Sequence, residues 1–179
     1  MTDVVAFLDD FKRTRDFKSV VPFLLNDVQL RNALFEQIST NQYPYAEYAS
    51  WIAQHFFEAH PNLLESWTNS FKTSILTLNN SSIQRNLLHI FANIHLPIKE
   101  DGLFLNQLID FIKSPDSPPA LKVNAFKTIE KQYFKLYPEL ILEISLLLDL
   151  HREDTRPSIQ SLRRNFHKQY SKQLNLLST

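Results

Sequence analysis

The chain has 179 residues, of which 44% are hydrophobic, enough to bury a real core and too apolar for a disordered chain. It contains one glycine (Gly102) and no cysteine. Disulfides, zinc ribbons and thiol catalysis are thereby excluded, and the tight turns of hairpins, P-loops and dinucleotide folds lack their glycines. Formal net charge is zero but uneven: residues 1–150 hold 13 Lys/Arg against 17 Asp/Glu, whereas residues 151–179 hold six against two.

Residues 1–42 open with "MTDVVAFLDDFKR", in which acids interrupt the apolar residues, unlike the basic-then-apolar order of a signal peptide. The stretch is expected to form less regular helices that cap one end of the fold, with Asn26 as a helix N-cap. From Tyr43 the apolar spacing is helical. In "YPYAEYASWIAQHFFEAHP" the set Tyr45, Tyr48, Ala49, Ile52, Ala53 and Phe56 falls on one face, and Pro61 then starts a second helix. Residues 43–79 thus form a first helix pair. Residues 80–114 form a second, beginning at an N-cap on Asn80 or Ser81 and carrying Ile83, Leu87, Ile90, Phe91 and Ile94 on one stripe. Pro97 marks its internal turn.

The three prolines of "KSPDSPPA" end that pair at about Ser114 and set up the next, residues 115–154. Its first helix aligns Leu121, Ala125, Ile129, Tyr133 and Leu136, and Pro138 starts the second, "LILEISLLLDL". That segment is too short to span a bilayer and carries Glu143 and Asp149, so a helix buried on most sides is expected. Residues 155–179 supply a last, basic helix with Thr155 as its cap. About nine helices and no strands are predicted.

Two internal echoes support a repeat. "EAHPNLLESW" and "KLYPELILEI" place Pro61 and Pro138 77 residues apart, and "SIQ" recurs at Ser82–Gln84 and Ser158–Gln160, 76 apart. A unit near 38 residues built of two helices is the size class of HEAT and armadillo repeats. The order "YASWIAQHFFEAHPNLL", "QRNLLHIFANIHLP", "SPDSPPALKVNAFKTIEKQYFKLYPEL" and an arginine-rich closing helix resembles small bacterial HEAT-repeat-like proteins of the armadillo-type fold, over Tyr43 to about Gln173. The closing helix, "SIQSLRRNFHKQY", is bulkier than that pattern. The resemblance implies one all-α domain, a right-handed α-α superhelix of antiparallel helix pairs, and no catalytic residues.

Chemistry-bearing constellations are sparse. His55 and His60, and His89 and His95, are spaced five and six apart, off the i, i+4 face that metal ligation on a helix uses, and there is no HExxH. "DLHRED" at Asp149–Asp154 gathers an imidazole and three carboxylates, which suits a polar loop better than a cation site. No glycine-flanked serine marks a nucleophile, and the chain lacks the length and mobile loop of the all-helical lyases. The adjacent acids Asp9–Asp10, Glu100–Asp101 and Glu153–Asp154 are expected near helix termini, where they offset the dipole. Six aromatics, Trp51, Phe56, Phe57, Trp67, Phe71 and Phe91, recur at core spacing, while Tyr43, Tyr45, Tyr48, Phe166 and Tyr170 are candidates for exposure.

The expectation is a non-catalytic cytoplasmic scaffold for a protein or peptide partner, with no cofactor, no metal and no membrane segment. Arg85, Lys122, Arg163 and Arg164 are the candidate partner contacts. The same cations, aligned as a ridge on stacked repeats, define the alternative of nucleic-acid binding, which the acidic first 150 residues weaken. An enzyme of unrecognised type is the second alternative.

Overall fold

The scarcity of glycine, with Gly102 alone in the sequence, leaves helix-forming residues uninterrupted, and the fold follows from that. A computed structural model describes residues 3–95 and 101–177, and every regular element within them is helical. Packing resolves two compact units, one ending at Ile90 and one beginning at Phe91. The first contains α1 (Val4–Thr14), α2 (Phe17–Asn26), α3 (Val28–Ser39), α4 (Tyr45–Ala59), two 3-10 turns (Pro61–Leu63 and Glu65–Trp67), α5 (Thr68–Thr77) and most of α6 (Ser81–Asn93). The second contains α7 (Gly102–Lys113), α8 (Pro119–Gln132), α9 (Leu140–Asp149) and α10 (Pro157–Leu177). Ten α-helices are therefore present among the described residues, against about nine expected. Pro97 and Glu100 lie outside the described residues.

Five helix starts among the described residues are set by side-chain oxygens that accept otherwise orphaned N–H groups. Asp3, Asp16, Asp27, Asn80 and Asp101 cap α1, α2, α3, α6 and α7. Two expected caps move by one residue. Asn26 closes α2 instead, donating its amide to the Pro22 carbonyl at 3.1 Å, and the Asp27 carboxylate accepts from the Leu30 N–H. Before α10 it is Asp154, not Thr155, that accepts from the Arg156 N–H. In both places a carboxylate stands beside a neutral candidate, and its charge suits the positive end of a helix better. Asp9 and Asp10 sit in the middle of α1 rather than at a terminus, where Asp10 pairs with Arg13 and Asp9 accepts from the Tyr45 hydroxyl.

Helix ends present the harder problem, because the usual left-handed glycine is missing. Among the described residues only Arg15 and Asn41 take positive φ, at 49° and 54°. At the ends of α2, α5, α6 and α7 a side chain from later in the chain donates to the exposed carbonyls. Arg31 of α3 reaches Leu24 and Leu25 at the end of α2, each at 3.2 Å. Gln84 of α6 reaches Ile75 and Leu78 at the end of α5, at 3.1 and 2.9 Å. Gln132 of α8 holds Phe91 and Ile94 at 2.8 and 2.6 Å. His151 binds the Ile112 carbonyl at the end of α7 at 2.6 Å, which fixes the proton on its Nε2.

The "SIQ" echo is structural. Both copies occupy the first turn of a helix, Ile83 and Ile159 are buried, and Gln160 clamps the Asp154 carbonyl much as Gln84 clamps α5. The proline echo diverges locally. Pro61 leads into two 3-10 turns and α5 begins only at Thr68, whereas α9 begins two residues after Pro138.

Inside each unit helices pack on others close by in the chain, a successor or the next but one in most cases, as in layered helix pairs, and α1 packs on α3 and α4. In the first, α3 packs on α4 and α5, and α2 on α3 and α4. In the second, α7 packs on α8 and α9, and α10 on α8 and α9. The most intimate neighbours there are α7 with α8 and α9 with α10, so close packing straddles the turns at 114–118 and 150–156. The first core centres on one cluster of rings among aliphatic side chains. Phe35 meets Phe56, Phe57, Trp67 and Phe71 with centroids 5.2–6.0 Å apart, and Phe35, Phe56, Phe57 and Phe71 are at most 1% exposed. Each ring fully buried contributes roughly 1.5–3 kcal/mol. The second core mixes aliphatic side chains with more dispersed rings, such as Phe91 on Phe104 and Phe126 on Phe166, and encloses Ser117, Lys122, Asn124, Thr128, Gln132, Ser145 and His151.

Candidate functional site

The four candidate cations do not share one environment. Arg85, in the first unit, is exposed on α6 and donates to the Asn86 side chain at 3.2 and 3.3 Å. Lys122, in the second, is 1% exposed, its Nζ 3.3 Å from the His151 ring, and so stands on no surface. Burial lowers its pKa, as does the nearby Arg156 charge, against the pull of Asp154 and Asp116. Arg163 is tied to Asp149 of α9 at 3.1 Å and is mostly covered; His167 binds the same carboxylate at 3.3 Å. Arg164 is exposed on α10 and makes no hydrogen bond or ion pair among the described residues. The cationic ridge thus reduces to Arg85 and Arg164 as surface groups, one in each unit.

The carboxylates of the 149–154 loop are likewise engaged. Arg152 pairs with Glu153, and Arg156 forks onto Asp154, holding its carboxyl well below the usual carboxylate range. No group of three His, Asp or Glu side chains among the described residues could hold a metal ion. In the first unit Glu58 receives His55 at 3.2 Å, His89 at 3.0 Å and the Gln54 amide at 3.1 Å, which joins α4 to α6. His55 also stacks on Phe17, centroids 3.9 Å apart. Of the aromatics expected at the surface, Tyr43 is 79% exposed, but Phe166 is 2% exposed and Tyr170 donates its hydroxyl to Glu130 at 2.7 Å. Phe166 is buried because it packs on Phe126 of α8.

What stands out instead is apolar. Helix α9 buries Leu140, Ile141, Ile144 and Leu148, yet Leu146 and Leu150 are 62% and 67% exposed and Leu142 is half-buried. The segment expected to be buried on most sides therefore has one apolar face in water. Leu103 on the adjacent α7 is 75% exposed, and Leu136, assigned to a buried stripe, is 55% exposed because α8 ends at Gln132. A signal was there: Leu142, Leu146 and Leu150 recur at i, i+4, i+8 beside a complete second stripe, more apolar surface than a helix with one covered face needs.

Layered helix pairs of this kind have a counterpart among known proteins: the model of the HEAT repeat domain matches residues 6–170. The chain belongs to the HEAT repeat family. The match takes in α1–α3, so the HEAT repeat domain extends further towards the N-terminus than the sequence patterns from Tyr43 indicate. No curated protein and no solved structure matches the chain. HEAT repeats are commonly protein-interaction scaffolds, and no described helix of this one is long and apolar enough to cross a membrane.

Proposed function

We propose that this HEAT repeat domain is a non-catalytic scaffold for a protein partner, built on the helix-pair units 43–79, 80–114 and 115–154, and that the partner seats on the second helices of the later units. The observation that carries this is the set of leucines left in water on α7 and α9, Leu103, Leu146 and Leu150. Exposed apolar surface on a rigid helical layer marks a contact face. Arg85 and Arg164, each on the surface of its own unit, serve as further polar contacts, while Lys122 and Arg163 act inside the fold. The cysteine-free composition supports a cytoplasmic setting.

The test is affinity capture on the full-length chain with mass-spectrometric identification. One partner held at saturating, stoichiometric amounts is expected; nothing retained above a blank surface would refute the scaffold. Nucleic acid is separated by a gel shift with duplex DNA at low salt. No shift is expected, and a salt-steep one abolished by Arg163→Ala plus Arg164→Ala would replace the scaffold by that alternative.

A further inference from the structure

The outward face of α9 has a chemistry that selects its occupant. Leu142, Leu146 and Leu150 follow one another at single-turn spacing, about 6 Å apart along the axis. Such a row accepts the apolar residues of a helix laid along it at i, i+3 or i+4, and i+7. The row is bordered by acid. Glu139 and Glu143 are exposed on this side and form no ion pair among the described residues. Asp149, at the far end, is already shared by Arg163 and His167.

These charges argue against a second copy meeting the same face. If two α9 helices crossed antiparallel with Leu146 on Leu146, Glu143 would face the other Asp149, whose counter-charge is already held by Arg163. Arg152, next to that end, is paired with its own Glu153. Parallel crossing sets each glutamate against itself. A second copy therefore brings Glu139 and Glu143 no uncommitted cation, whereas lysines or arginines beside the leucines of a different helix would meet both carboxylates.

We infer that the α9 face docks a cationic amphipathic helix of the partner, its apolar residues on Leu142, Leu146 and Leu150 and its basic residues beside Glu139 and Glu143. This rests on the scaffold function proposed above and specifies the chemistry of the partner.

The experiment uses the full-length chain and two synthetic helical peptides with the same leucine pattern, one with lysines and one with glutamates at the polar positions, followed by fluorescence anisotropy. The leucine–lysine peptide is expected to bind at least tenfold more tightly than the leucine–glutamate peptide, and less tightly at 0.5 M than at 0.05 M salt by roughly the same factor. Leu146→Ser plus Leu150→Ser should weaken it about tenfold or more, with the circular dichroism unchanged because both side chains point outward. Glu139→Lys plus Glu143→Lys keeps the leucines and should invert the preference between the peptides. Equal affinity for both peptides, or affinity indifferent to both variants, overturns the docking. So does a concentration-dependent dimer that disappears in Leu146→Ser, which would make the occupant a second copy. If the serine double variant still captures the cellular partner at full stoichiometry, the scaffold stands and the α9 face is not its contact. If the wild type captures nothing, the scaffold itself fails.

Discussion

The two compact units solve the same packing problem with different materials. The first surrounds Phe35 with four further rings and buries few polar groups, Ser50, Ser74 and Asn86. The second spreads its buried rings among aliphatic side chains, Phe91 on Phe104 and Phe126 on Phe134 and Phe166, and encloses seven polar residues, a lysine and a histidine among them. Rings fill space with few torsions and edge-to-face contacts, so a cluster of rings on one centre is specified by shape. Polar side chains that enter a core must find partners, so the second unit is specified by hydrogen bonds as well. Two halves of one HEAT repeat domain can thus share a helical plan without sharing what holds it.

Phe35→Ala is the strongest way to break this contrast. It removes the ring on which Phe56, Phe57, Trp67 and Phe71 converge, and a loss of about 3–5 kcal/mol is expected. Hydrogen exchange should rise sharply in residues 3–90 and much less in 91–177; equal rises would show a shared core.

The counterpart in the second unit is Gln132→Ala, which leaves the Phe91 and Ile94 carbonyls without their donor. A loss of roughly 1–3 kcal/mol is expected by urea titration. A neutral result would mean that the clamp is decorative and that the unit stands on its apolar packing alone.

Lys122→Met should go the other way. Burial lowers the folded-state pKa of this amine, so folding with it charged is unfavourable; the penalty is complete below that lowered value and fades as pH rises towards 10.5, the value of the free side chain. The variant is therefore expected to gain on the order of 1 kcal/mol at neutral pH, about 2–4 °C in melting temperature, with the gain shrinking under alkaline conditions. A melting temperature that falls would make the contact with His151 an essential bond.

The smallest effect belongs to Tyr133→Phe. The Tyr133 hydroxyl is buried with no hydrogen-bond partner among the described residues, and burial raises its pKa. Removing it should leave the melting temperature unchanged or raise it by the equivalent of up to about 1 kcal/mol.

Periodicity and proline placement made the helices legible, because each helix follows from residues near it in the chain. The stripes at Tyr45–Phe56, Ile83–Phe91 and Leu121–Ile129 are the faces that the fold buries. Local chemistry also placed the cap of α6 at Asn80 or Ser81, but it could not choose between such neighbours, nor between Asn26 and Asp27. The clamps escaped detection since Gln132 and His151 act on carbonyls 38 to 41 residues away, and no spacing rule reaches that far. The candidate surface was misjudged for a related reason. Positive charge is visible in a sequence, whereas its burial at Lys122, or the emergence of Leu146 and Leu150 into water, depends on which helices arrive beside it.

The helix ends closed by Gln84 and His151 carry a consequence for how the chain is made. The stop of α5 is supplied by a side chain of α6, and that of α7 by a residue beyond α9. During synthesis each such helix emerges with its last carbonyls still in water, and becomes complete only after the later residue has left the ribosome. The finishing order is written into the chain, and a unit excised or transplanted on its own would carry an open end.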